Sequence, residues 1–165
     1  MSSRVRQASW ITLATRQQLA VFLVALALIS FPVHLAWEWM QCQPYFVHRT
    51  TPATAASMLM AASGDVALTL LAYCGAAAIH GAAWPLRSWP ASVWLVLLGM
   101  ALITSVAMEG YALFTHRWAY TDAAPRLPGS PISVLPVAQL LILFPFSFYL
   151  ARTLLRRVAR PGDTP

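Results

Sequence analysis

The chain contains no lysine and only five acidic residues in 165. Charged residues make up 10% of it, against about 25% in soluble globular domains. So little charge cannot clothe an ordinary water-facing surface, and hydrophobic residues account for 59% of the sequence at a mean hydropathy of +0.62. No P-loop, Rossmann glycine pattern, G-x-S-x-G or HExxH occurs, which leaves nucleotide-binding, dehydrogenase and hydrolase readings without support. Repeats and low-complexity tracts are also missing. The two cysteines, Cys42 and Cys74, fall at different depths of the predicted spans. A disulfide holds its Cβ atoms about 3.8 Å apart, so both are expected as thiols unpaired within the chain, and Cys42 could instead pair between chains or bind metal.

What the sequence does have is four long apolar runs, approximately 19–40, 57–80, 91–115 and 132–155. A membrane-crossing helix needs about 20 such residues. The expected fold is therefore all-α, a polytopic membrane four-helix bundle with short loops, occupying 1–165 as a single domain. The first run begins like a signal peptide but continues through His34-Leu-Ala-Trp-Glu38 without a small-residue cleavage site, so it reads as an uncleaved span. Span two, rich in alanine and glycine, is expected to be the central helix, because small residues let helices approach closely in lipid. Pro32 is expected to kink span one, and Pro136 and Pro145 in span four need neighbours for the carbonyls they free.

The basic residues are all arginine and are unevenly placed. Eight (Arg4, Arg6, Arg16, Arg87, Arg152, Arg156, Arg157 and Arg160) fall on one side of the spans, and three (Arg49, Arg117 and Arg126) on the other. The positive-inside rule then puts both termini in the cytoplasm. The net charge of +6 is assigned to membrane headgroups, not to nucleic acid. Residues 1–18 read as a polar arm with Trp10 at the interface, Trp84 and Trp89 anchor the inner loop, and the proline-rich stretch 116–131 reads as a rigid outer cap.

Three of the five acids, Glu38, Asp65 and Glu109, lie inside apolar runs. A carboxyl in a bilayer is costly and usually faces the bundle interior or a wet cavity. At 1.5 Å of rise per residue, His34 lies about 22 Å, Glu38 about 28 Å, Asp65 about 22 Å and Glu109 about 25 Å from the cytoplasmic edge. Gln139 lies about 10 Å below the outer edge. All five are expected in one layer of the outer half. His34 and Glu38 are a helical turn apart and share a face. Such a layer suits proton transfer to a lipid-soluble substrate, cation binding or proton relay.

Cys42, His48, His116 and the methionines Met40, Met58, Met60 and Met108 gather towards the outer side, where sulfur and imidazole would suit copper(I). No tight ligand motif accompanies them, so metal involvement stays open and no cofactor is indicated.

The strings Trp37-Glu-Trp-Met-Gln-Cys-Gln-Pro-Tyr, Gly64-Asp65 and Arg117-Trp-Ala-Tyr-Thr-Asp-Ala-Ala-Pro-Arg-Leu-Pro-Gly resemble those of a group of small four-span bacterial membrane proteins of unassigned function. That resemblance implies the bacterial cytoplasmic membrane as the location. In the last third, Trp118-x-Tyr120, Leu127-Pro-Gly, Pro131-Ile and Leu135-Pro-Val-Ala-Gln-Leu resemble the hairpin of heterodimeric-type lycopene cyclases. In those proteins paired acids follow the proline, whereas Ala138 and Gln139 stand here. His34-x-x-x-Glu38 with Glu109 is similar to the intramembrane acid–base set of sterol-isomerase-like four-span proteins.

The leading expectation is acid–base chemistry on an isoprenoid or other lipid. Glu109 or Asp65 would give the proton, and His34–Glu38 would be the complementary base. Gln139, Trp37, Trp118 and Tyr120 would line the substrate, the aromatics steadying cationic character. Two alternatives stay open: binding or transport of a proton, metal ion or small solute by an oligomer, and a non-catalytic role beside another membrane protein. Membrane lipids are the expected partners in each.

Overall fold

Four helices carry the four apolar runs: α1 (Ser3–Tyr45), α2 (Ala55–His80), α3 (Ala91–Phe114) and α4 (Val134–Val158). The computed structural model describes residues 3–48, 52–80 and 90–158. Trp84, Trp89, Arg87, the side chain of Trp10 and the end of the basic tail lie outside the described residues. The stretches Gln17–Tyr45, Ala55–Ile79, Ala91–Phe114 and Val134–Arg156 are long and apolar enough to cross a membrane. Residues 3–18, expected as a separate arm, belong to α1 instead; no glycine or proline stands there to end the helix. Pro32 removes one backbone donor, yet the chain is helical on both sides of it.

Neighbouring helices pack in a ring, α1 on α2, α2 on α3, α3 on α4 and α4 on α1, so that α1 and α3 stand on a diagonal. The buried face of α1 recurs every four residues as Phe22, Leu26, Ser30, His34, Glu38 and Cys42. On α3 the same spacing gives Val93, Leu97, Ala101, Ser105 and Glu109. Both are i±4 ridges, which seat between the side chains of a neighbouring helix. Along each ridge the residues change from apolar to polar towards the same end of the bundle. The apolar half closes on Phe22, Tyr73 and Phe148, with the Phe22 and Tyr73 ring centroids 5.0 Å apart and Tyr73 stacked on Phe148 at 6.0 Å.

The most enclosed helix is α4, not α2. Of the hydrophobic window of α4, 44% is buried, against 22% in each of the other three helices. The reason is side-chain volume: Leu140, Phe144 and Phe148 of α4 fill the bundle centre. Several small residues of α2 face outward, and a Cβ on Gly64 would meet nothing within 4 Å. Gly75 does serve close approach, since a Cβ there would come 2.5 Å from Met100 Cε on α3.

The two outer loops meet in an antiparallel ribbon that the sequence reading did not anticipate. Strand β1 (Phe46–His48) pairs with β2 (Trp118–Tyr120) in the register Phe46↔Tyr120, Val47↔Ala119, His48↔Trp118. Phe46 packs on both Trp118 and Tyr120, at centroid distances of 5.8 and 4.8 Å. Thr121 N–H donates to Tyr45 O at 3.0 Å and its hydroxyl to Pro44 O at 3.1 Å, tying the ribbon to the end of α1.

Local chemistry explains the entry and exit of this cap. His116 takes φ 55 just after α3, with Arg117 N–H donating to Ala112 O and His116 N–H to Leu113 O. That is a Schellman closure. Pro128 and Gly129 form the corner of a turn in which Ser130 N–H donates to Leu127 O at 3.0 Å, and Gly129 supplies the positive φ of 70 that a type II turn requires. Ser133 then caps α4. Its hydroxyl accepts from Leu135 N–H at 3.2 Å and donates to Pro125 O at 3.0 Å. Pro136 falls in the first turn of α4, where a missing N–H costs no helical bond.

Ser133→Ala removes both bonds and should lower stability by about 1–2 kcal/mol. Thermal unfolding of the detergent-solubilised variant measures this; an unchanged midpoint would mean that the cap does not hold α4.

Candidate functional site

Four of the expected site residues come together, from three helices. His34 and Glu38 project from α1, Asp65 from α2 and Gln139 from α4. His34 is fully buried, Glu38 8% and Gln139 3% exposed, while the Asp65 side chain keeps 18% of its surface. The cluster rests on the apolar half of the bundle, with Phe144 edge-on to the His34 ring at 6.3 Å.

Gln139 is the hub. Its amide nitrogen lies 2.8 Å from Asp65 Oδ2, 3.1 Å from Glu38 Oε1 and 3.3 Å from His34 Nδ1. Its amide oxygen accepts from Gln41 Nε2 at 3.0 Å, and Gln41 Nε2 also donates to Glu38 Oε1 at 3.0 Å. Trp37 Nε1–H donates to Gln41 Oε1 at 2.9 Å, so Trp37 orients the network rather than contacting the acids. Cys42 Sγ donates to the other Glu38 oxygen at 3.5 Å. On the far side, the Thr69 hydroxyl donates to Asp65 O at 2.7 Å and lies 3.2 Å from His34 Nε2.

Counting hydrogens shows what this arrangement requires. The Thr69 hydrogen is committed to a backbone carbonyl, so Thr69 can only accept from the imidazole. His34 therefore carries hydrogen on Nε2 and turns Nδ1 towards Asp65 Oδ2, 3.5 Å away, and Gln139. The Gln139 amide has two hydrogens but faces three acceptors. Asp65 Oδ2 and Glu38 Oε1 touch the same amide nitrogen, so the two carboxyls are close neighbours and would repel if both were ionised. Gln41 gives its two hydrogens to Glu38 Oε1 and Gln139 Oε1, so the four amide hydrogens match the four acceptors, and what sets the cluster apart is two carboxyls and an imidazole nitrogen gathered on one amide.

Glu109 does not join this layer, contrary to the expectation of a single site. It sits on the diagonal helix and turns into the cap, where Tyr120 Oη donates to Glu109 Oε1 at 2.5 Å. The Trp118 indole and the Ser133 amide face the same carboxyl. They lack the alignment of a hydrogen bond, however: Glu109 Oε2 and Trp118 Nε1 are both buried without a partner. Tyr120 lies outside the spans, and its phenol is pushed above the ordinary value of 10, first by burial and then by its bond to Glu109. It therefore remains a hydrogen donor. Trp118 and Tyr120, expected with Gln139 around one substrate, belong to this second site.

Gln41 and Thr69 were not among the expected residues. Their spacing carried a signal, since Gln41 follows Glu38 by three residues and Thr69 follows Asp65 by four, the intervals that share a helix face. Among the described residues, no group of three or more His, Cys, Asp or Glu side chains is placed to hold a metal ion. Met58 and Cys42 are buried, whereas Met40 and Met60 face outward. Cys42 and Cys74 are both free.

Two measurements test this geometry. Gln139→Leu should cost about 2 kcal/mol or more, as expected when charged groups lose buried hydrogen bonds. An ordinary bond between membrane helices averages about 0.6 kcal/mol, and a loss that small would mean that Gln139 is interhelical glue. The second concerns Tyr120. A raised acid pKa favours the neutral form in the fold, so its contribution is complete below pH about 10 and fades as pH rises above that. The melting-temperature gap between wild type and Tyr120→Phe should be constant from pH 7 to 9 and narrow at higher pH.

Comparison of the chain with protein families, with curated proteins and with solved structures gave no match. The likenesses read from its sequence gain no support from that comparison, and the function must be argued from the geometry of the site.

Proposed function

We propose that this protein is a multi-pass membrane protein that exchanges a proton with a lipid-soluble substrate, an isoprenoid or other lipid, at Asp65. The observation that carries this reading is the convergence of two carboxyls and an imidazole on the single amide nitrogen of Gln139. A proton shared there relieves the repulsion of two carboxylates held on one amide, and its withdrawal restores that repulsion, which drives its recovery.

In this reading Asp65 is the donor, because it alone of the four keeps appreciable exposed surface. His34 Nδ1 and Glu38 are the groups that take up and return the proton. Gln139 and Gln41 hold the carboxyls in place, and Thr69 sets the imidazole tautomer. Glu109, which lacks contact with the cluster, has no part in this transfer. The apolar lengths of the four helices support membrane insertion. The arginine asymmetry of eight to three supports cytoplasmic termini and, with the sequence likeness to four-span bacterial proteins, placement in a bacterial cytoplasmic membrane.

The test is lipid analysis of a deletion strain carrying wild type, Asp65→Asn or no gene. Loss of general acid–base transfer lowers rates by about 10²–10⁴. A lipid product should therefore fall at least about a hundredfold both in the deletion strain and with Asp65→Asn. Identical lipids in all three strains, with the variant present in the membrane at the wild-type level, would overturn lipid chemistry. They would turn the same cluster towards proton binding or transport, a reading to which its close packing also lends itself.

A further inference from the structure

A second feature is independent of the proton cluster. At the cap end of α3, an open groove of about 590 Å³ runs between the helix, β2 and the loop before α4. Its walls are largely apolar, formed by Leu113, Phe114, Trp118, Pro131 and Ile132, with Gly110 among them. The volume is that of a small-molecule site. A Cβ on Gly110 would meet nothing within 4 Å, so there is open space beside it.

Next to this groove lie the two orphaned atoms of the second site. Glu109, which is 1% exposed, precedes Gly110 in the chain, and Trp118 is itself a wall. Glu109 Oε2 is a buried acceptor and Trp118 Nε1 a buried donor, and neither has a hydrogen-bond partner. Buried polar groups are nearly always paired. A hydroxyl gives and takes a hydrogen bond through one small atom, which suits an acceptor and a donor that face each other. An amine in its charged form only donates and would leave the indole unpaired. A ketone only accepts and would leave the carboxyl unpaired, and a carboxylate would set a second anion against Glu109.

We propose that the groove is a binding site for a long-chain alcohol, whose hydroxyl donates to Glu109 Oε2 and accepts from Trp118 Nε1–H while its chain lies against Leu113, Phe114 and Ile132. Tyr120 completes the seat by holding Glu109 Oε1, which leaves Oε2 as the free acceptor. Both orphaned atoms are sealed in this structure, so seating the hydroxyl requires the half-buried Trp118 ring to shift. Isoprenols and straight-chain alcohols share this chemistry.

The test uses the full-length protein in phosphatidylcholine nanodiscs. Diazirine-bearing isoprenyl and straight-chain alcohols are compared with their methyl ethers, which cannot donate. Trypsin cuts after Arg117 and Arg126, which isolates the segment holding Trp118 and Tyr120. Labelling of the groove peptides by an alcohol should exceed that by its ether at least tenfold, and the better of the two alcohols identifies the source. Gly110→Leu, which fills the groove from a helical position, should abolish the labelling without lowering the melting temperature. If that variant does not fold, the alcohol–ether comparison on wild type decides alone. Equal labelling by alcohol and ether would overturn the proposal, since it would reflect surrounding lipid only; so would labelling that survives in a folded Gly110→Leu protein. Asp65→Asn should leave the labelling unchanged, so failure here is separable from failure of the proton-exchange reading.

Discussion

The primary amide of Gln139 holds together groups that would otherwise have to be kept apart. It reaches from α4 to a carboxyl on α2 and to a carboxyl and an imidazole on α1. In water these groups would separate and hydrate. Inside an apolar bundle they have only each other, so the three helices converge where the amide can serve all of them. A glutamine suits this place because it is neutral and offers hydrogens on one side and an oxygen on the other. Gln41 occupies that oxygen, and in doing so fixes which way the amide points.

The layering of the bundle follows from the same constraint. Phe22, Tyr73, Phe144 and Phe148 fill one half, where a small polar side chain can bond back to its own helix. Ser30 is an example, donating to Leu26 O one turn away at 2.7 Å. The acids occupy the other half, and above them the ribbon of β1 and β2 closes the end of the bundle. Isolated two-stranded ribbons are marginal in water. This one is held by Phe46 against Trp118 and Tyr120, by Thr121 on the end of α1, and by the tyrosine–glutamate bond that anchors β2 to α3. The cap and the second acid are therefore one unit.

The diagonal arrangement of α1 and α3 divides the acids into two sites with different chemistry. Asp65 and Glu38 meet on one amide nitrogen, where two carboxylates would repel each other. Glu109 faces a phenol that keeps its own hydrogen, and it retains one oxygen without a partner. The first arrangement is suited to exchanging a proton, the second to receiving a donor from outside.

How much of this was legible in the chain can be argued residue by residue. Four apolar runs determine four helices, because length and hydropathy act locally and each run is long enough by itself. The i+4 interval of His34 and Glu38 sets them on one face, since helical period is a property of the backbone. The depth of Glu109 was equally readable, but depth along an axis says nothing about direction around it. That direction, and with it the choice of partner, depends on which helices are neighbours, and in the bundle α3 stands across from α1. The pairing of Phe46 with Tyr120 was invisible for a similar reason, since the two are brought together only when α1 and α3 end at the same level. The sequence by itself determined the elements and the presence of acids within apolar helices; only the tertiary structure decided that Glu38 and Asp65 meet on Gln139 while Glu109 turns to Tyr120, because partnership between helices is a property of the assembled bundle.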